Sequence, residues 1–334
     1  MEYIEIDGLN GAGGGQMLRT ALSLSAILGK PFRMINIRAK RPKPGLKAQH
    51  LMCVNAAKQI CNANVKGAEF DSTELIFEPD EIKGGDFEFL VKTAGSISLI
   101  IQTILPILIF AKEESKIKIT GGTHAPFAPN LTYLDKVFLP VVKEMGITAN
   151  VDIKKYGFYP KGGGEVFLCV KPTNTLKSIN LTKISEEKQE SQKLNAEIIL
   201  CNLPEHIADR ETKIIKNYFP DINIEIKKQN SLSPGNIITI YKTCVGADAI
   251  GKIGVTAEKI AEKVCKEFIE QSKYAVDKHL SDQLLLYMAL STGKSEIISS
   301  EITDHTKTNI FIIEKFLGNM FKIDNNKITR SYHG

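Results

Sequence analysis

The chain has 334 residues, 43% hydrophobic and 24% charged, with 43 Lys and Arg against 38 Asp and Glu for a formal charge of +5. That length buries a sizeable core in one or two domains, and so small a positive surplus excludes a protein that coats nucleic acid through bulk charge, so any anionic partner is met locally. Six singly spaced cysteines with no Cys-x-x-Cys pair and no leader ahead of them argue for free thiols in a cytoplasmic, reducing setting, and the most apolar stretch, Ser98 to Ala111, is too short to span a bilayer and carries Gln102 and Pro106, so it reads as a buried helix.

The first fifty residues are expected to form a phosphate site. A strand around Ile4 to Ile6 leads through Gly11-Ala12-Gly13-Gly14-Gly15 into a helix over Gln16 to Leu28, where Arg19 stands one turn in. Free N–H groups at such a helix start attract anions, and glycines let an anion approach the backbone. A glycine run alone equally fits a strand-to-helix turn; Arg19 beside Gln16 tips the reading toward an anion. A strand over Phe32 to Ile37 follows, then Arg38-Ala-Lys40-Arg41-Pro-Lys43-Pro, where two prolines stiffen a basic loop and Arg38 and Arg41 offer planar forks for phosphate oxygens. Gln49 and His50 open the second helix and face the same anion.

The next elements repeat the first. Helix Ser98 to Ala111, strand Ile117 to Thr120 and a second helix from Leu131 stand at the same offset of 82 residues, comparing starts at 16 and 98 and at 49 and 131. Gln102 is polar inside an apolar helix and needs a partner, either backbone or a ligand in a cleft. Gly121-Gly122-Thr123-His124, with Pro126 and Pro129, and Tyr159-Pro-Lys-Gly-Gly-Gly164 read as turns first and ligand contacts second.

A third copy follows only after about a hundred further residues. It comprises a helix over Asp282 to Leu290, a strand over Ser295 to Ile298 and a second helix from Thr308. The excess opens with the polar run Ile184 to Lys193, which reads as a linker, and continues with strands at Glu197 to Leu200, Ile222 to Lys227 and Ile237 to Tyr241 and helices at Ala208 to Tyr218 and Thr256 to Glu270. The expected architecture is α/β (α+β): three repeated units, each with two helices on a four-stranded sheet, spanning 1–180 and 275–334, and a small inserted α/β domain over 181–274. In unit three, Ser281 or Asp282 reads as a helix cap, and His305 sits in a polar loop beside Asp304, placed to act as acid, base or nucleophile.

Asp7-Gly8-x4-Gly13-Gly14-Gly15-Gln16-x2-Arg19, Arg38-Ala-x-Arg41-x-Lys43-Pro-Gly-Leu-x2-Gln49-His50, Gly157-Phe-Tyr-Pro-x-Gly-Gly-Gly164, Leu280-x-Asp282-Gln283 and His305-x2-Thr-Asn309 stand in one order along the chain. The set resembles the RNA 3′-terminal phosphate cyclase family from end to end, which implies three repeated βαβαββ-type units with an inserted small thioredoxin-like α/β domain. The resemblance implies an ATP-dependent ligase-type enzyme in which His305 takes AMP from ATP as a phosphoramidate and passes it to an RNA 3′-phosphate. The vicinal 2′-OH then displaces AMP to leave a 2′,3′-cyclic phosphate. It further implies that Gln102, Pro129, His279, Leu280, Ser281, Asp282 and Gln283 hold ATP, and that Gln16, Arg19, Arg38, Arg41, Gln49 and His50 hold the RNA phosphate. A divalent Mg²⁺ or Mn²⁺ is implied as well, and an oligomer stays open. Two positions depart from the family pattern: Ala12 stands where many cyclases carry a metal-associated glutamate, which leaves the metal ligands open, and His279 stands where relatives can carry tyrosine. The alternatives are a non-catalytic cyclase-like RNA-binding factor of ribosome biogenesis, which would lack the nucleophile, and an enolpyruvyl transferase, which would leave His305 and the Tyr-Pro-Lys-Gly-Gly-Gly element unexplained.

Overall fold

The computed structural model describes residues 2–11, 14–91, 93–182 and 193–331. Ala12 and, apart from Lys193, the expected linker from Ile184 onward lie outside the described residues. The fold is a mixed α/β arrangement of four four-stranded sheets.

The first sheet takes β1 (Ile4–Asp7), β2 (Phe32–Ile35), β3 (Asn64–Lys66) and β4 (Leu75–Glu78) in the order β1-β2-β4-β3, and the second takes β5 (Gly85–Leu90), β6 (Ser115–Gly121), β7 (Thr148–Lys155) and β8 (Gly164–Lys171) in the order β5-β6-β8-β7. In each the first pair is parallel and the other two are antiparallel. The third sheet draws β9 (Asn180–Leu181) from before a long excursion and β14 (Ser295–Ile298), β15 (Phe321–Asp324) and β16 (Lys327–Arg330) from after it, with the same order and the same pattern of directions. The excursion builds the fourth sheet, β11-β10-β12-β13, from β10 (Asn195–Cys201), β11 (Asn223–Gln229), β12 (Gly235–Lys242) and β13 (Val245–Ile250).

Helices cover these sheets. α1 (Gly15–Leu28) packs against α2 (Ala48–Ile60) and α3 (Ile97–Leu108), and also against α8 (Asp304–Leu317), which itself packs on α7 (Lys278–Leu290). α1 is buried almost all round, and every residue of α3 is buried except Gln102, as expected of apolar helices enclosed by other helices. Between β6 and β7 runs α4, in three pieces: Leu131–Tyr133, a π-helical turn over Leu134–Phe138, and Leu139–Glu144. Pro140 lacks the N–H that would continue the α-helical ladder, which accounts for the widened turn ahead of it. On the fourth sheet lie α5 (His206–Tyr218) and α6 (Ala257–Gln271), with their own apolar cluster around Ile198, Ile240 and Phe268, while one larger core runs through the other three sheets. No two cysteines are disulfide-bonded, and no described helix is long and apolar enough to cross a membrane.

Three sequence expectations need correction. α7 begins at Lys278, four residues ahead of the expected start, because its cap is Asp277, whose carboxylate accepts from the N–H groups of His279 and Leu280 at 2.8 Å. Ser281 and Asp282 are therefore inside the helix. α8 likewise begins at Asp304 under a Thr303 cap, so His305 is in its first turn and not in a loop. β13 was not expected at all: its Val-Gly-Ala-Asp-Ala-Ile sequence is built from small residues with little strand propensity.

Asp277 also joins the fourth sheet to the rest. The carboxylate is fully buried and accepts from Tyr133 Oη at 2.8 Å and from the Gly246 N–H of β13 at 2.9 Å. A Cβ on Gly246 would stand 2.8 Å from the Tyr133 ring, so glycine is what allows this approach. Asn130 Nδ2 donating to Thr239 Oγ1 at 3.1 Å, and the bond from Thr132 Oγ1 to Glu197, complete the junction. Removing an acceptor shared by four buried donors costs more than removing one donor: Asp277→Ala is expected to lower the unfolding free energy by about 3 kcal/mol or more and Tyr133→Phe by about 1 kcal/mol, read from urea denaturation, and equal losses would contradict this assignment.

Candidate active site

Five helices and β13 surround a cavity of about 420 Å³. α1 contributes Gln16, Arg19, Thr20 and Ser23; α3 contributes Leu99 and Gln102; the segment leading into α4 and α4 itself give Phe127, Ala128, Pro129, Tyr133 and Phe138. α7 adds His279, Asp282, Gln283, Leu286 and Tyr287, α8 adds His305 and Asn309, and β13 adds Asp248. The α7 residues fall at helical spacing on one face, which the Asp277 cap fixes. Apolar and aromatic walls with a few convergent polar groups are the makeup of a small-molecule site.

The imidazole of His305 is held from across the chain: its Nδ1 lies 2.5 Å from Gln16 Oε1. An amide oxygen only accepts, so Nδ1 carries the proton and Nε2 keeps its lone pair. Burial, then Arg19, Arg41 and His279, lowers the pKa of His305, so the ring is neutral near pH 7. Asp304, expected to orient it, makes no contact with the ring that rivals Gln16; its backbone carbonyl instead accepts from Thr308 Oγ1 at 2.6 Å. Behind His305 a chain of bonds ties three helices, from Thr20 Oγ1 to Asn309 Oδ1 at 2.7 Å and from Asn309 Nδ2 to the Asp282 carbonyl at 2.8 Å.

Arg19 points into the cavity, and burial lowers its pKa with no carboxylate among the described residues to offset the cation. Such a charge favours an anionic ligand. Around it, Gly14 caps α1 with no side-chain bond and no acid occupies the first turn, leaving the helix N–H groups open. Arg41 Nη2 would be 3.2 Å from a Cβ on Gly14, and His50 Nε2 2.5 Å from one on Gly15. The His50 Nδ1 accepts from the Lys47 N–H at 3.1 Å, and burial, with Arg38, Arg19 and Lys47, pushes its pKa down to about 3. The neutral ring therefore presents Nε2–H as a donor. Gln49 Oε1 accepts from Ser96 N–H at 3.2 Å, which leaves its amide nitrogen to donate.

On the α7 side of the cavity, burial raises both Asp282 and Asp248 to about 6; Asp282 accepts from Thr303 Oγ1 at 3.2 Å and from Thr306 Oγ1. Gln283 donates to the His279 carbonyl at 3.1 Å, and its buried Oε1 has no partner. Of the expected residues, Gln16, Arg19, Gln102, Pro129, His279, Asp282, Gln283 and His305 line the cavity. Arg41 and His50 gather at the glycine turn beside it, and Gln49, next to His50, turns to Ser96. Leu280 and Ser281 do not join: both are fully buried in the core, where Ser281 Oγ bonds the Lys278 carbonyl, because on this helix they face away from residues 279 and 283. Arg38 spends one guanidinium nitrogen on the carbonyls of Lys43 and Gly45, both at 2.8 Å, and so braces its own loop.

A family profile described as RNA 3′-terminal phosphate cyclase matches residues 10–323. The chain belongs to that family. The RNA 3′-terminal phosphate cyclase of Pyrococcus abyssi is 42% identical over 331 residues, covering 96% of this chain and 95% of the relative. Those of Archaeoglobus fulgidus and Koribacter versatilis are 40% and 41% identical and cover 97% of this chain, with 99% and 92% of the relatives. Among solved structures, the enolpyruvyl transferase NikO from Streptomyces tendae aligns over 98% of this chain and 81% of its own with 10% identity and a TM-score of 0.26, a likeness too faint to bear on function.

In this cyclase-family member, sequence reasoning passed over Phe127, Tyr133, Phe138 and Asp248. Tyr133 precedes and Phe138 ends the π-helical turn that Pro140 imposes, which was a readable signal; Asp248 lay on the unexpected strand. The His305 pKa is open to direct test. Histidine-selective NMR titration is expected to place its midpoint below the ordinary 6.5, and Arg19→Gln to move it upward by removing a cation that disfavours imidazolium; a midpoint indifferent to Arg19 would contradict this electrostatic account.

Proposed function

We infer that the chain converts an RNA 3′-terminal phosphate to a 2′,3′-cyclic phosphate at the expense of ATP, with AMP carried on His305. The observation that carries this reading is a neutral imidazole with its Nδ1 tied to Gln16, placed beside an arginine that no carboxylate offsets. In the first step His305 Nε2 attacks the α-phosphorus, an Nε2–P bond forms and the P–O bond to pyrophosphate breaks. Next an oxygen of the RNA 3′-phosphate attacks that phosphorus, the P–N bond breaks, and neutral histidine is regenerated. Finally the 2′-oxygen, losing its proton, attacks the 3′-phosphorus and expels AMP.

The cavity residues divide along these steps. Gln102, Pro129, His279, Asp282 and Gln283 take the nucleoside, with Tyr133 and Phe138 as apolar walls. Arg19, Arg41, Gln49, the His50 Nε2–H and the open start of α1 take the phosphates, where donors fixed in advance stabilise charge that develops at phosphorus. A divalent ion would shield the triphosphate, but among the described residues no three His, Cys, Asp or Glu side chains come together to hold one, so no step is assigned to it.

The same reading extends to the architecture. Three sheets with one strand order are taken as copies of one unit, and residues 181–274 as an insert in the third, since β9 precedes the insert and pairs with β14 beyond it. The insert's order, with β10 parallel to β11 and antiparallel to β12, supports the thioredoxin-like assignment. Thiols without disulfides fit a reducing cytoplasm.

Incubation with ATP labelled at the α-phosphate is expected to give an acid-labile, alkali-stable protein adduct that His305→Ala abolishes. Arg19→Ala is expected to slow transfer to 3′-phosphorylated RNA by about a hundredfold, the scale of a lost transition-state donor. No adduct with the native protein would favour the non-catalytic RNA-binding alternative, and an undiminished one in His305→Ala would overturn His305 as the AMP carrier.

A further inference from the structure

The Tyr159-Pro-Lys-Gly-Gly-Gly turn has no part in the chemistry above, yet it is the most constrained loop near the site. Phe158 is buried, with its ring 5.2 Å from that of His124 and packed under Gly235 of the fourth sheet. Gly162 and Gly163 both have positive φ, and a Cβ on either would strike a neighbour: the Thr93 carbonyl at 2.7 Å for Gly162, the Leu232 side chain at 2.4 Å for Gly163. Lys161 N–H donates to Ser233 Oγ at 3.2 Å. Two sheets thus clamp the turn, and what it presents to solvent is an aromatic ring and a cation: Tyr159 is 72% exposed and Lys161 is exposed. Leu232, on the clamping loop, is 62% exposed.

The turn also adjoins the phosphate site. Gly162 packs on Thr93 and Ala94, and the next residues of that segment reach Gln49: Ser96 N–H bonds its side chain, and a Cβ on Gly95 would lie 3.6 Å from Gln49 Cβ. From Gln49 the path continues to His50 and Arg19 at the start of α1. This chain of contacts joins the turn to the start of α1, where Arg19 would hold the end of a single-stranded polyanion. A rigidly held aromatic ring next to a cation suits a base face followed by a backbone phosphate, and holding it in place beforehand cuts the ordering cost of binding.

We propose that Tyr159, Lys161 and Leu232 form a platform for the nucleotides preceding the 3′ end of the RNA, with a base stacked on Tyr159 and a backbone phosphate at Lys161. The platform rests on the RNA-end reading of the site, and it makes the fourth sheet, through Leu232 and Ser233, part of the RNA surface.

The test is the affinity of the full-length protein, by fluorescence anisotropy without ATP, for a labelled 3′-phosphorylated dinucleotide and a labelled 3′-phosphorylated decanucleotide. Tyr159→Ala is expected to weaken decanucleotide binding about 10-fold while leaving the dinucleotide within about twofold, and Tyr159→Phe to restore it, since stacking needs the ring and not the hydroxyl. Lys161→Ala is expected to flatten the salt dependence for the decanucleotide alone, by about one phosphate contact. Equal losses at both lengths, no preference of the native protein for the longer RNA, or no loss in Tyr159→Ala would each overturn the platform, the last assigning the patch to a partner other than RNA. His305 adenylylation involves no RNA, so it reports that the variants are folded, and its absence from the native protein would refute the proposed reaction without touching the binding result.

Discussion

The buried carboxylate of Asp277 is the constraint on which the site depends. It caps α7, receives the hydroxyl of Tyr133 and receives the N–H of Gly246, so one side chain fixes a helix, a cavity wall and an adjoining sheet against each other. Burial raises its pKa and four donors act the other way, which is the balance expected of an acceptor retained in a core for geometry. Capping at 277 sets the helical phase, and the phase decides which residues meet the cavity. His279, Asp282, Gln283 and Leu286 face inward while Leu280 and Ser281 are consumed by packing. Moving the cap to Ser281 or Asp282, as local sequence suggests, would cost the site its carboxylate.

Two histidines near Arg19 show how one electrostatic cause yields two chemical roles. Burial and neighbouring arginines keep both His50 and His305 neutral. What differs is the partner of Nδ1. In His50 it accepts from a backbone N–H, so Nε2 must carry the proton and donate; in His305 it faces an amide oxygen, so Nε2 must be bare. One ring thus offers a hydrogen-bond donor and the other a lone pair, with the Arg19 charge close to both.

Local patterns made much of this legible. The 82-residue offset between the first two helix pairs follows from periodicity, and α1 and α3 begin at Gly15 and Ile97, the same distance apart. The glycine turn with Arg19, and Gln102 as the polar break in an apolar helix, announced themselves because each violates its surroundings. What stayed hidden depends on distant partners. β13 has a Gly-Ala-Asp-Ala centre of weak strand formers and is held by its pairing with β12 and by Asp277, which receives its Gly246 N–H. The cap of α7 went to Asp277 over nearer candidates because Tyr133, 144 residues away, completes its bonding. Arg38 and Arg41 look alike in sequence, and only the fold shows that Arg38 takes a positive φ and binds two loop carbonyls through its Nη1.

The orientation of the His305 ring is therefore a tertiary property. Gln16 and His305 lie 289 residues apart, as do Thr20 and Asn309, and these bonds join the first helix of the chain to its last. The contact needs α8 seated on α1, which needs β14 paired with β9 across the whole excursion between them. Until that closure His305 is an ordinary imidazole, free to take either tautomer and to protonate near its usual pH. Closure fixes the proton on Nδ1, draws Arg19 and Arg41 near enough to disfavour a second proton, and opens Nε2 toward the cavity. The same step that completes the core thus sets the tautomer and charge of His305, so an incompletely assembled chain lacks this neutral, oriented imidazole.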